Sequence, residues 1–108
     1  MRRFTFAAFL VAWFFCSTAL GDELIIFSLP GCAPCARLAA LLRAQPNLVA
    51  GYKLSRIDMA DDPESARLFN VRSAPTIVRL NAADKEVDRL SGAPSASQLR
   101  RWLQASSR

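Results

Sequence analysis

The sequence predicts an α/β domain built on a four-stranded mixed sheet with helices on both faces. Three observations lead there. An uncharged apolar run of strand length, Leu24 to Ser28, is followed directly by residues at helical spacing. A second strand–helix pair comes next. The chain then closes with two short strands around a polar turn and a last amphipathic stretch, giving the order βαβαββα.

Leu24-Ile25-Ile26-Phe27-Ser28 reads as a strand buried in a parallel sheet. Pro30-Gly31 breaks it, and Cys32-Ala33-Pro34-Cys35 follows. From Cys35 the spacing is helical, with Leu38, Leu41 and Leu42 on one face and Arg37 and Arg43 elsewhere; Gln45-Pro46-Asn47 ends that helix. Tyr52 to Asp58 mixes polarity as a strand at an edge or a partly covered position does. Asp62 is an N-cap and Pro63 the first residue of a short helix that ends near Phe69 and Asn70. Thr76–Leu80 and Glu86–Leu90 form a hairpin across the polar turn Asn81–Lys85. After the break at Gly92–Pro94, Ser95-x-x-Gln98 is a capping box. The last helix sets Leu99, Trp102 and Leu103 on one face and Arg100 and Arg101 on the other. The first two strands should be parallel, joined by a right-handed crossover, and the hairpin should add an antiparallel edge.

Composition divides the chain in two. Residues 1–21 hold five of the seven Phe, one of the two Trp and one of the three Cys, and their only charges are Arg2 and Arg3. A basic start, an apolar run from Phe4 to Phe15 and the small residues Ala19 and Gly21 form the pattern of a secretory signal peptide, cleaved after Gly21 or, as the close alternative, after Ala19. The competing reading is a retained anchor, because the apolar stretch is about 17 residues, the lower limit for spanning a bilayer. Residues 22–108 are then the folded domain, and its expected location is the periplasm, or the membrane surface if the segment stays.

Fourteen Lys and Arg face nine Asp and Glu, for a formal net charge of +5, but the basic residues form no stripe and few aromatics accompany them. Nucleic-acid binding is therefore not expected. The chain has no histidine, which excludes Ser-His-Asp and Cys-His catalysis, His-ligated zinc and CxxCH haem attachment. Past residue 21 only Cys32 and Cys35 remain. The loop they would close is too small to staple a domain, so the pair is there to react.

Pro30-Gly31-Cys32-Ala33-Pro34-Cys35 between strand and helix, Ser73-Ala74-Pro75-Thr76 before the hairpin, and the βαβαββα order together resemble the thioredoxin superfamily in its small form, over residues 23–104. The resemblance implies a thioredoxin-like fold. It also implies thiol–disulfide exchange, with Cys32 as nucleophile and Cys35 as resolving thiol. A helix N-terminus favours the thiolate that such an attack needs. Pro75 resembles the family's cis-proline, and Ala74, Pro75 and Thr76 would receive an extended substrate segment. Pro30, Gly31, Ala33 and Pro34 flank the pair.

Departures from the pattern are informative. Ile26 stands where thioredoxins bury an aspartate that assists proton transfer, and Gly31 replaces a common tryptophan. The run from Ile26 to Cys32 looks more like glutaredoxin, yet Ala33-Pro34 lacks glutaredoxin's tyrosine and Ser91-Gly92-Ala93 matches its glutathione segment only loosely. Arg37 could meet a glutathione carboxylate or be a solvated helix residue. Asp58 and Lys53 are candidate proton helpers. Pro34 before the second cysteine resembles the reducing thioredoxins, so the expected activity is reduction of protein disulfides by a monomer with no metal and no cofactor beyond the Cys32–Cys35 disulfide. Its partners would be protein thiols and disulfides, and a membrane electron donor. Two rival functions are a soft-metal module that binds copper(I) through the two thiolates and a thioredoxin-fold interaction domain with an inert disulfide.

Overall fold

In the computed structural model, residues 22–106 are described. The reading of residues 1–21 as a leader lies outside them. β1 (Glu23–Ser28) is the uncharged run extended by one residue; its four central side chains are all buried. Strict alternation sends Leu24 and Ile26 to one face of the sheet and Ile25 and Phe27 to the other. A strand can be apolar on both faces only if both are covered, and they are.

The covering helices follow from local signals. α1 (Ala33–Ala44) starts at Cys32 as N-cap, and its buried side chains are Cys35, Leu38 and Leu42. Pro46–Val49 then forms a single 3₁₀ turn that leads into β2 (Lys53–Asp58). α2 (Pro63–Leu68) has the expected Asp62 cap, whose carboxylate accepts the Ser65 amide at 3.1 Å. It ends with Asn70 in the left-handed region (φ 55°), where the amides of Val71 and Asn70 reach back to the carbonyls of Ala66 and Arg67. That is a Schellman ending. α3 (Ala96–Ser106) is closed by a reciprocal capping box: the Gln98 amide donates to Ser95 Oγ at 3.2 Å, and the Ser95 amide donates to Gln98 Oε1 at 2.8 Å.

β3 (Thr76–Leu80) and β4 (Glu86–Ser91) complete a sheet of order β2-β1-β3-β4. β1 pairs parallel with β2 and antiparallel with β3, and β3 pairs antiparallel with β4. Only β4 of the hairpin is an edge. β3 is buried along its whole length, because it lies between β1 and β4 with helices over both faces. Leu24, Ile26, Leu38, Leu42, Ile77, Leu99 and Leu103 form the core on the α1–α3 side; Ile25, Phe27, Ala66, Val71, Val78 and Leu80 form the one on the α2 side. The C-terminal ends of β1 and β2 lie together, since Ser28 pairs with Asp58, and the cysteine motif leaves from that end.

Candidate active site

The site is built where β1 stops. Leu29 and Pro30 lead out of the strand, and Gly31 turns the chain with φ 69°, a conformation that penalises any residue with a Cβ. Cys32 follows in extended backbone as the N-cap of α1. Its Sγ accepts the Cys35 amide at 3.1 Å, and its carbonyl accepts the Ala36 amide at 3.0 Å. Pro34 in the first turn has no N–H to lose there. The first turn carries no acidic side chain. The amide and the helix dipole therefore act on Cys32 sulfur unopposed by a local carboxylate, and both favour a negative charge on it.

Cys32 and Cys35 are joined in a disulfide, their Cα atoms 5.2 Å apart. Cys32 is half-buried, while Cys35 is 9% exposed. The sulfur that can be reached first from outside is therefore that of Cys32.

The Ser73–Thr76 segment lies beside the pair. Cys32 Sγ is 3.8 Å from the Ala74 carbonyl oxygen, and the Ala74–Pro75 peptide bond is cis. The Gly92 amide donates to the Pro75 carbonyl at 2.8 Å, tying this segment to the end of β4. Pro75 is fully buried and Ala74 half-buried. Thr76 is placed differently from the sequence expectation. It is 2% exposed, its hydroxyl donates to the Ser73 carbonyl at 2.8 Å, and its backbone sits in the sheet between Phe27 and Ser91. Its side chain is enclosed and bonded within the loop. Ala74 is the residue of this segment that is both partly accessible and in contact with Cys32.

A groove of about 440 Å³ opens on the other side of the disulfide. Its wall is mainly apolar, with Ile26, Leu29 and Leu38 the large side chains, and it includes Cys32, Cys35 and Arg56. Arg56 is a site residue that sequence reading missed. Strand alternation puts residue 56 on the same face as Leu54, which packs on the α1–α3 core, but only the pairing of β2 with β1 brings that face to the cysteines. Lys53 is not near the cysteines. It pairs with Glu23 at the opposite end of β2, five residues or about 17 Å away along the strand. Asp58 is at the correct end, but its carboxylate accepts the Ala60 amide at 2.8 Å and does not line the groove. Arg37 is exposed on α1 and also lies outside the groove wall.

A second arginine escaped sequence reading. Arg79 in β3 is buried, bound to Asp22 Oδ2 by Nε at 2.9 Å and Nη2 at 2.6 Å and to the Leu103 carbonyl by Nη1, with its guanidinium 5.3 Å from the Tyr52 ring centre. It lies at the far end of β3 from the cysteines and fastens the fold.

Comparison with known proteins agrees with this geometry. A family model described as thioredoxin matches residues 16–105. The chain is 36% identical over 76 residues to thioredoxin C-3 of Corynebacterium nephridii, an alignment that takes in 67% of this chain and 49% of that protein. The chain thus spans about half the length of that relative. It is 32% identical over 85 residues to the thioredoxin of Chlamydia caviae, covering 79% of this chain and 82% of the relative. Among solved structures, Fasciola hepatica thioredoxin superposes with a TM-score of 0.69 at 27% identity, over 79% of this chain and 80% of that one.

Proposed function

The chain belongs to the thioredoxin family, and from that premise we propose that it is a thiol–disulfide oxidoreductase acting as a reductase of protein disulfides, with Cys32 as nucleophile and Cys35 as resolving thiol. The observation that carries this reading is the Cys32–Cys35 disulfide at the start of α1, with the more accessible sulfur capping the helix beside the Ala74 backbone. In the reduced protein the Cys32 thiolate attacks one sulfur of a substrate disulfide. A Cys32–substrate mixed disulfide forms, and the other substrate sulfur leaves as a thiolate. Cys35, one helical turn on, then attacks Cys32 sulfur; the Cys32–Cys35 disulfide closes and the second substrate thiolate departs. Two electrons pass from the cysteine pair to the substrate, so each cycle needs an outside dithiol donor.

The substrate's extended chain is received by the backbone at Ala74, with the buried Pro75 holding that backbone in place. Gly31, Pro30, Ala33 and Pro34 set the turn and the first helical residues around Cys32. The reading extends to export: residues 1–21 serve as a secretory leader, the domain works in the periplasm, and its electrons come from a membrane partner. Asp22, the first residue after that segment, already anchors the fold through Arg79, which fits a mature chain beginning there.

Trapping tests the function. Cys35→Ser should accumulate mixed disulfides through Cys32 in the native host, and the captured proteins name the substrates and the donor. Cys32→Ser should abolish insulin reduction. Insulin reduction that survived in Cys32→Ser would sink the assignment. A reduction potential near that of the strong periplasmic oxidants, about −120 mV, would turn the reductase into an oxidase. Amino-terminal sequencing of the exported protein should begin at Asp22 or, for the alternative cut, Leu20.

A further inference from the structure

We propose that the groove beside the disulfide is the route by which base and water reach Cys35, and that Arg56 is the positioning charge that favours the Cys35 thiolate. This rests on Cys35 being the resolving thiol. That role requires Cys35 to lose a proton before its sulfur can attack. Burial among apolar side chains opposes the loss, and Cys35 is one of the buried residues of α1.

The surroundings leave few groups able to help. β1 presents Ile26 and Ser28 to the groove, neither of them titratable at neutral pH. β2 presents Arg56; Asp58, the next residue on that face, is occupied by the Ala60 amide and stands outside the groove wall. On α1 the only charge near the motif is Arg37, exposed and outside the wall, and the segment before β3 carries only the exposed Arg72. Among the described residues the groove wall therefore holds no carboxylate and one cation, Arg56. Arg56 makes no salt bridge among the described residues; it is exposed where it lines the groove, so its charge acts on the groove through solvent screening and without a carboxylate partner.

The step balances without a protein base. A base B entering from solvent takes the proton, Cys35–SH + B giving Cys35–S⁻ + BH⁺. The thiolate forms in the groove that Arg56 also lines, where the guanidinium's positive charge favours it, and its electron pair then forms the bond to Cys32 sulfur. The space is wide enough for water and small buffer bases.

Alkylation of Cys35 reads this directly. In the full chain carrying Cys32→Ser, the Cys35 peptide is followed by mass spectrometry after iodoacetamide or iodoacetate, across pH. Adding Arg56→Gln should slow alkylation at neutral pH by about three- to tenfold, move the pH profile upward, and cost the anionic reagent more than the neutral one. Arg56→Lys should restore much of both, and Asp58→Asn should move neither. With the cysteines intact, release of a mixed disulfide from Cys32 should quicken as imidazole is added at fixed pH. An unchanged profile in Arg56→Gln, or a shift matched by Asp58→Asn, overturns the role of Arg56; release indifferent to added base overturns the solvent route. The readout is independent of the function above: a wild-type protein inactive on insulin whose Cys35 still responds to Arg56 would remove the reductase and keep the charge effect.

Discussion

At the scale of the residue, Arg79 is the most consequential side chain away from the cysteines. A guanidinium inside a core is tolerated only when its donors are used, and here Asp22, the Leu103 carbonyl and the Tyr52 ring use them. Removing Asp22 leaves a buried charge without its counter-ion. Asp22→Ala should lower unfolding stability by about 3 kcal/mol, the low end for a broken buried pair because Asp22 itself is partly exposed. A urea titration checks it, and a change within error would show that water replaces the carboxylate. Gly31 gives a second test. Its positive φ makes Gly31→Ala strained even though a Cβ there meets nothing within 4 Å. The cost should be about 1 kcal/mol, and the turn that aims Cys32 should loosen with it.

At the scale of the element, the ends matter more than the middles. α1 begins on a sulfur, α2 on a carboxylate, and α3 on a hydroxyl answered by an amide. Ser95→Ala should destabilise the protein by about 1 kcal/mol, seen as a lower urea midpoint with an unchanged slope. At β4, Arg89 bonds both Glu86 oxygens and reaches the Phe69 carbonyl, joining the edge strand to the end of α2. The hydrogen bond from Arg89 holds the Glu86 carboxyl below the usual carboxylate range, with burial opposing weakly. A group whose folded value is lowered contributes stability above its ordinary range and loses it as pH falls through the lowered value. Glu86→Gln should therefore be less stable than the parent at neutral pH, within about 1 kcal/mol for an exposed pair, and the two should converge in acid. Thermal melts from pH 7 to pH 3 follow the difference, and a gap that stayed constant would remove the pair as its source.

At the scale of the whole molecule, one sheet between two layers of helix makes β1 and β3 the spine. Phe27 is fully buried and meets the Phe69 ring at 5.6 Å. Phe27→Ala should cost about 3–5 kcal/mol, enough to unfold much of a domain this size, measured again by denaturant. Much of this architecture was legible in the chain. An uncharged run from Leu24 to Phe27 requires cover on both faces, Asp62-Pro63 and Ser95-x-x-Gln98 write their caps in local chemistry, and Cys32 and Cys35 stand at a strand-to-helix junction whatever else packs nearby. These are matters of adjacent residues and periodicity, so sequence alone determined the element order, the fold class and the place of the cysteine pair. Other features depend on which strand lies beside which. Strand order placed β3 inside the sheet, and that enclosure buried Thr76. Pairing of β2 with β1 separated Lys53 from the cysteines and brought Arg56 to them. Burial of Arg79 required an aspartate 57 positions away. Contacts between residues so distant leave no period in the sequence, because their proximity comes from packing the sheet and not from the local chain. Only the tertiary structure decided them.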